Sequence, residues 1–176
     1  MNIKNKITNL FSIFINFVLT KFDNLMNYFD RKRIILDRAS NENYLIRYYI
    51  FLKDRDNKFP FNIFIHKFLK SDEPVIHDHP WGYYTLILYG GYWEHLIDNN
   101  DISKTIKHWR YPGFFQNVNQ NHKHFIELEK DKNGIEKTCW TLFIPGIKYN
   151  NNWGFYPKFN NYNWIDSNDY LKEKNN

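Results

Sequence analysis

Two histidines stand one residue apart in the stretch IHDHPWGYYTLILYGGYWEH, residues 76–95. His77 and His79 flank Asp78, and Pro80 and a long apolar, aromatic run follow at once. Because side chains two positions apart on an extended chain point to the same side, both imidazoles can be directed at one point. Neutral imidazole is a common ligand of transition metals, so the pair predicts two ligands of a metal centre.

A second pair with the same spacing, His122 and His124, lies in the segment NHKHF. An antiparallel sandwich can bring this segment next to the first pair across its interior. The spacing leaves open whether one or both of these histidines join the first pair as ligands. The spacing alone does not choose between the two histidines, because they share a strand parity.

The elements that must position these histidines are predicted to be short β-strands. Runs rich in Val, Ile, Thr, Tyr and Phe are separated by turns of Gly, Pro, Asn and Asp, which is typical of an all-β sandwich or barrel. Alternation in the segment FNIFIHKFLK puts Asn62, Phe64, His66 and Phe68 on one face. A jelly roll with one N-terminal helix accounts best for this pattern.

Apolar residues recur at helical spacing near the N-terminus: Ile3, Ile7, Leu10, Phe14, Val18, Phe22, Leu25 and Phe29. They predict an amphipathic helix within residues 1–33, ahead of a single β domain at 34–176. The densest apolar part is too short to span a bilayer and no signal-peptide cleavage site follows, so no transmembrane segment is expected. We expect the helix to pack on the domain or to form a homodimer. A membrane-surface anchor is the alternative, because lysines flank the apolar residues.

Composition restricts the partners and the compartment. The 176 residues carry a net charge of +5, but Lys and Arg are spread along the chain without a basic block, which does not favour nucleic-acid binding. The single cysteine, Cys139, excludes an intrachain disulfide and fits a reducing, cytoplasmic compartment.

The stretch HDHPWGYYTLILYGGYWE resembles the first motif of the cupin superfamily. That motif has a His-x-His pair, usually followed by a Glu and then by a Gly. Gly91 matches the glycine, and Tyr84 stands at the Glu position. The segment RYPG, residues 110–113, followed by a histidine, is similar to the second motif, which supplies a third histidine ligand. The resemblance implies a mostly β fold, the double-stranded β-helix or cupin jelly roll.

The chain also resembles small cupin-like proteins of phages and bacteria over about residues 34–165. The shared segments are YLIRYY (44–49), HKFLKSD (66–72), HDHPW (77–81), GGYWEH (90–95), RYPG (110–113), HFIEL (124–128), WTLFIPG (140–146) and WGF (153–155). In this register HFIEL selects His124, not His122, as the third ligand.

The histidine spacing is similar to that of the thiol-dioxygenase branch of cupins, which includes cysteine dioxygenase. That branch lacks the Glu and binds Fe(II) through three histidines. The resemblance therefore implies Fe(II) at His77, His79 and His124, with Ni, Zn or Mn as alternatives. Three neutral ligands leave the charge of the metal uncompensated, which favours a small anionic ligand as the partner. Tyr84 is a candidate to donate a hydrogen bond to a bound oxygen species, or else a tyrosine of the core.

Further side chains are candidates for the substrate site. His66 is either a catalytic or substrate-binding group, or a core histidine whose bonds are satisfied. Arg110 and Arg47 are candidates for a substrate carboxylate, and a structural ion pair is the alternative for Arg110. Trp81 directly follows the histidine segment and can pack on the substrate.

These observations support three functions of different kinds. The first is a metal-binding cupin that acts as a non-haem Fe(II) dioxygenase on a small molecule. The second is a non-catalytic or isomerase-type cupin that stacks a sugar or nucleotide sugar on aromatic residues: Trp81, Tyr83, Tyr92, Trp93 and Trp109. The third is a viral structural or host-interaction protein on a cupin scaffold, in the host cytoplasm. Metal content together with O2 uptake separates the first function from the other two.

Overall fold

The computed structural model describes residues 3–54, 59–98, 101–148 and 152–174. Within these ranges the chain forms antiparallel β-strands preceded by one long helix. The elements in chain order are α1 (Ile3–Tyr28), β1 (Lys32–Leu36), β2 (Asn43–Tyr49), β3 (Phe64–Phe68), β4 (Trp81–Tyr89), β5 (Tyr92–Asp98), β6 (Asp101–Arg110), β7 (Phe115–Val118), β8 (His124–Leu128), β9 (Cys139–Lys148), β10 (Gly154–Phe155), a 3-10 helix (Lys158–Asn160), β11 (Ile165–Asp166) and α2 (Tyr170–Lys174).

Six strands form one antiparallel sheet in the order β1-β2-β3-β9-β4-β7. Its two faces alternate along each strand, as the pleat requires. In β2, Leu45 and Arg47 face a cavity in the interior, whereas Ile46 and Tyr48 face the helix. This sheet therefore separates the helix from the interior of the domain.

The second sheet has the order β6-β5-β8. It extends through His77, which forms β-bridges with His124 of β8 on one side and with Phe155 of β10 on the other. The backbone N–H groups of His77 and His124 each donate to the carbonyl oxygen of the other residue at 3.0 Å. The two histidine segments are therefore neighbours in one sheet.

The helix α1 packs on the outer face of the six-stranded sheet. Phe22 and Met26, one turn apart, contact Tyr48 and Trp140, whose rings stack with centroids 5.5 Å apart. The hydroxyl of Tyr48 donates to Asp23 at 2.5 Å. An apolar row nearer the N-terminus stays exposed: Ile13, Phe14, Phe17 and Val18. In the described part of the chain, no helix combines the length and the apolar character needed to cross a membrane.

Gly90 and Gly91 end β4 and lead into β5, at the break that the sequence predicts. Gly90 has a φ of 78°, and a Cβ at this position would lie 2.5 Å from the carbonyl oxygen of Thr138. Only glycine fits both restrictions, and the chain uses it to pass from one sheet to the other. The predicted fold class is confirmed: a mostly β jelly roll with an N-terminal α-helix.

The structure contains short elements beyond the predicted ones. The short elements β7, β10, β11 and α2 were not predicted, because so few residues carry no readable periodicity.

Candidate metal centre

A cavity of about 360 Å³ lies between the two sheets. Residues of β2, β3, β4 and β9 form one wall, and residues of β5 and β8 with the segment around His77 form the other. Inward-facing residues of strands line such an interior because every second side chain points into it. This volume suits a small molecule.

The three predicted ligands His77, His79 and His124 meet on the wall of this cavity. One ring nitrogen from each lies within 4.8 Å of the other two. The Nε2 atoms of His79 and His124 are 3.0 Å apart. Two nitrogens bound at right angles, each about 2.1 Å from one ion, also stand about 3.0 Å apart. The donor set and its spacing therefore fit a transition metal.

Burial keeps two of these imidazoles in the neutral form that binds metal. It lowers the pKa of His77 despite the opposing charge of Asp72, whose Oδ2 lies 4.0 Å from His77 Nε2. Burial, with the neighbouring His77, holds the pKa of His79 well below its ordinary value. At neutral pH these two imidazoles are therefore uncharged, and a metal can bind them without first displacing the extra proton of a histidinium ion.

The two downstream histidines have different surroundings. His124 turns its Nε2 toward His79 and its Nδ1 toward Glu94, 2.8 Å away. The Nε2 of His122 also lies 2.8 Å from Glu94. The structure thus brings His124 to the upstream pair, whereas His122 does not line the cavity. Glu94, His122 and His124 form a second group of donor atoms that lie within 4.8 Å of one another.

Tyr84 lies away from the site, contrary to the position expected from the cupin motif. In β4 the odd-numbered residues Tyr83 and Thr85 are buried, whereas Tyr84 is 46% exposed and stacks on Phe115. The hydroxyl that approaches the imidazoles belongs to Tyr83, 3.5 Å from His124 Nε2. The alternation of β4 is the signal that could have identified Tyr83.

A half-buried cation, Arg47, lies on the opposite wall of the cavity. The Nε of Arg47 donates to the Nε2 of His66 at 3.1 Å, and the guanidinium stands over the ring of Phe64. Among the described residues, no carboxylate oxygen lies within 4.0 Å of this guanidinium. A half-buried arginine without an acidic partner is suited to bind an anion.

Two polar groups accompany Arg47 on this wall. Burial and the charge of Arg47 hold the pKa of His66 well below its ordinary value, so its imidazole is neutral. Because Nε2 of His66 accepts a hydrogen bond, its proton resides on Nδ1. Thr141, the cross-strand neighbour of His66, is buried, and within the described ranges its hydroxyl has no hydrogen-bond partner.

Arg110, the other candidate for a substrate carboxylate, does not line the cavity. Its Nε and Nη2 donate to Oε2 of Glu94 at 2.7 and 2.6 Å. The structure therefore places Arg110 in a structural ion pair, which was the alternative to a role in substrate binding.

The sequence alone gave no role to Glu94. Its position two residues after the inward-facing Tyr92 was the available signal.

Only some of the aromatic residues that are candidates for sugar stacking line the cavity. Trp93 and Trp109 pack on each other with ring centroids 5.2 Å apart and do not line the cavity. The three that do line it are Trp81, Tyr83 and Tyr92.

Asp78, between the two upstream ligands, is engaged elsewhere. Its carboxylate accepts hydrogen bonds from the backbone N–H of Gly154 at 2.8 Å, from the hydroxyl of Tyr156 at 3.0 Å and from Trp164 at 3.1 Å. It thereby fixes the backbone between His77 and His79 to the C-terminal segment.

Comparison with solved structures gives similar folds at low sequence identity. Hydroxypropylphosphonic acid epoxidase from S. wedmorenis is 12% identical, with a TM-score of 0.47 over 66% of this chain and 56% of that chain. The polyketide cyclase RemF from Streptomyces resistomycificus is 14% identical, with a TM-score of 0.48 over 65% and 73%. A cupin-like protein from Thermotoga maritima is 11% identical, with a TM-score of 0.47 over 73% and 83%.

These likenesses concern the fold alone. The match to the epoxidase spans little more than half of that enzyme's length. No family model matches the sequence, and comparison with curated proteins gives no match.

Proposed function

We propose that this chain is a cupin-type metalloprotein that oxidises a small anionic molecule with O2. His77, His79 and His124 hold a divalent metal, Fe(II) in the first place. The observation that carries the proposal is the convergence of three imidazoles on the wall of a cavity between two sheets. Three nitrogen ligands leave coordination positions open for a substrate and O2. A bound Fe(II) ion supplies the redox chemistry that O2 requires.

The proposal assigns the anionic group of the substrate to Arg47. This guanidinium lines the cavity and has no carboxylate partner among the described residues, whereas Arg110 is committed to Glu94. A substrate carboxylate can form charge-assisted hydrogen bonds with the terminal nitrogens of Arg47. The Nδ1–H of His66 and the hydroxyl of Thr141 are further polar groups on the same wall.

Tyr83 takes the hydrogen-bonding role for which Tyr84 is the candidate in the sequence. Burial, followed by the charges of nearby acidic groups, raises the pKa of Tyr83 well above its ordinary value, so the phenol keeps its proton. It can then donate a hydrogen bond to a group held beside His124. Trp81 completes the wall near the ligands and excludes water from the substrate.

The first test is metal content. Metal-free protein reconstituted with Fe(II) under argon should hold about one ion per chain, measured by plasma emission, because three imidazoles define one site. His77→Ala should lose this ion, whereas His108→Ala, which alters an exposed residue of β6, should retain it. A wild-type protein that rejects Fe(II), Ni(II) and Zn(II) would refute the metal site.

The O2-dependent part of the proposal is tested separately with an oxygen electrode. The Fe(II)-loaded protein is screened with small carboxylates, thiol carboxylates and phosphonates, and at least one should support O2 uptake that His77→Ala abolishes. If loaded protein consumes no O2 with any of them, the oxygenase proposal fails and a ligand-binding role takes its place.

A further inference from the structure

Glu94 is a fully buried carboxylate surrounded by donors. It lies on the inward face of β5 with 0% of its surface exposed. Its Oε1 is 2.8 Å from His124 Nδ1 and 2.8 Å from His122 Nε2, and its Oε2 accepts two bonds from Arg110. Burying a carboxylate costs free energy of desolvation unless such donors compensate it. The side chains around Glu94 are therefore arranged to stabilise its charge.

The donors also fix the charge of Glu94. Two guanidinium N–H groups of Arg110 donate to its Oε2, and such charge-assisted bonds are made by the ionised carboxylate. Glu94 is therefore an acceptor only, and Nδ1 of His124 must carry the proton that it donates. A neutral imidazole has one such proton, so its Nε2 presents a lone pair toward His79.

The same atoms allow a second interpretation, in which Glu94, His122 and His124 hold an ion of their own. The position of Arg110 opposes it. A guanidinium nitrogen already lies 2.6 Å from Oε2 of Glu94, and its charge would repel a second cation held by the same carboxylate. His124 would also have to lose both ring protons to bridge two ions.

We propose that Glu94 is the positioning residue of the metal centre: it fixes the tautomer and the ring orientation of His124, and Arg110 and His122 hold Glu94 in place. The inference rests on the proposed metal site and deepens it. It assigns His122 to the support of the site rather than to its ligands, with one metal ion per chain. Partners of this kind typically change metal affinity by about 10–100-fold.

The test compares Glu94→Gln with Glu127→Gln, measured by competition for Zn(II) with a chromophoric chelator. Glu127 is a matched control, because it pairs with His95 at 2.7 Å at a position outside the cavity lining. Glu94→Gln should still bind one ion, about 10–100-fold more weakly, and the visible absorption of its Co(II) form should shift. Glu127→Gln should stay within a few-fold of wild type, whereas His122→Gln should retain one ion per chain.

A second measurement requires no variant of Glu94. Long-range 15N–1H spectra of the wild-type protein should show His124 protonated on Nδ1 without metal, and ligated through Nε2 with Zn(II). Ligation through Nδ1, ligation by His122, two ions per chain, or equal affinities of wild type and Glu94→Gln would each overturn the inference. A wild-type chain that binds no metal would instead refute the proposed function, whereas the tautomer of metal-free His124 would still test the role of Glu94.

Discussion

The protonation state of the cavity histidines follows from the hydration that each imidazole loses on burial and from the charges that lie near it in the folded protein. His66 is 4% exposed, and its nearest charge is the guanidinium of Arg47, so the cationic imidazole loses hydration and gains repulsion. Burial acts in the same direction on His77 and His79. A neutral imidazole can bind a metal or donate a hydrogen bond at pH 7. Because unfolding allows these imidazoles to take up protons, acid should lower the stability of the domain.

His66 allows this sensitivity to be measured. Its folded pKa lies well below the value of about 6.5 that the unfolded chain has, so the unfolded state binds more protons as the pH falls. The stabilising effect is present above pH 6.5 and is lost as the pH falls toward the folded pKa. One such group contributes a slope of up to about 1.4 kcal/mol per pH unit.

We therefore expect urea unfolding of metal-free protein to show a free energy that falls between pH 7 and pH 5. His66→Gln, which keeps an acceptor for Arg47, should make this fall shallower, since one buried titrating group is removed. His108→Gln, at an exposed position of β6, is the control and should leave the slope unchanged. An identical slope in His66→Gln would contradict a neutral buried His66.

The helix α1 uses one of its apolar faces on the domain and leaves another exposed. Phe22 and Met26 cover Tyr48 and Trp140 on the outer face of the six-stranded sheet. The exposed row contains Phe14 and Phe17, at 60% and 59% exposure. Docking on the domain is thus observed for the C-terminal part of the helix, while the homodimer remains a prediction based on the exposed row.

The docked face should contribute measurably to stability. Met26 is 7% exposed, and Met26→Ala should lower the free energy of unfolding by about 2 kcal/mol or more, because it leaves a cavity beneath the helix. Asn24→Ala, on the exposed side of the same turn, should change it by less than about 0.5 kcal/mol. Equal effects in chemical denaturation would mean that the helix is not held by this contact.

The two walls of the cavity carry different chemistry. The three candidate ligands belong to the second sheet and the segment that bridges it, whereas Arg47 and His66 belong to the six-stranded sheet. A substrate that chelates the metal and also reaches Arg47 must span from one sheet to the other. The packing of the sheets therefore sets the length of molecule that the site accepts.

Mercaptoacetate is a suitable probe of this arrangement, because it carries both a thiol and a carboxylate. In calorimetric titration of the Zn(II)-loaded protein, Arg47→Gln should weaken its binding by about 10–100-fold, as expected for the loss of a hydrogen bond to a charged group. Mercaptoethanol, which lacks the carboxylate, should bind both proteins alike. Lys107→Gln, on β6 and outside the cavity lining, is the control. Unchanged mercaptoacetate affinity in Arg47→Gln would rule out Arg47 as the anion site for a molecule of this length.

Much of the fold and part of the site could be predicted from local patterns. Alternation in β3 correctly places Phe64 and His66 on the buried face, helical spacing predicts α1, and Gly90 marks the break between β4 and β5. The His-x-His spacing and the cupin resemblance point to the residues that converge in the cavity. These features depend on residues close in sequence, whose relative directions are set by the geometry of a strand or a helix.

The neighbours of the histidines were decided by the tertiary structure. The motif position suggested Tyr84, but the pleat of β4 turns Tyr83 toward the ligands. Pairing of β5 with β6 brings Arg110 to Glu94, so this arginine is neutralised and Arg47 on the other sheet remains available. The amino-acid sequence by itself determines which bonds each side chain can form. Strand register and the packing of the two sheets determine which partners come within about 3 Å, because these residues are far apart along the chain.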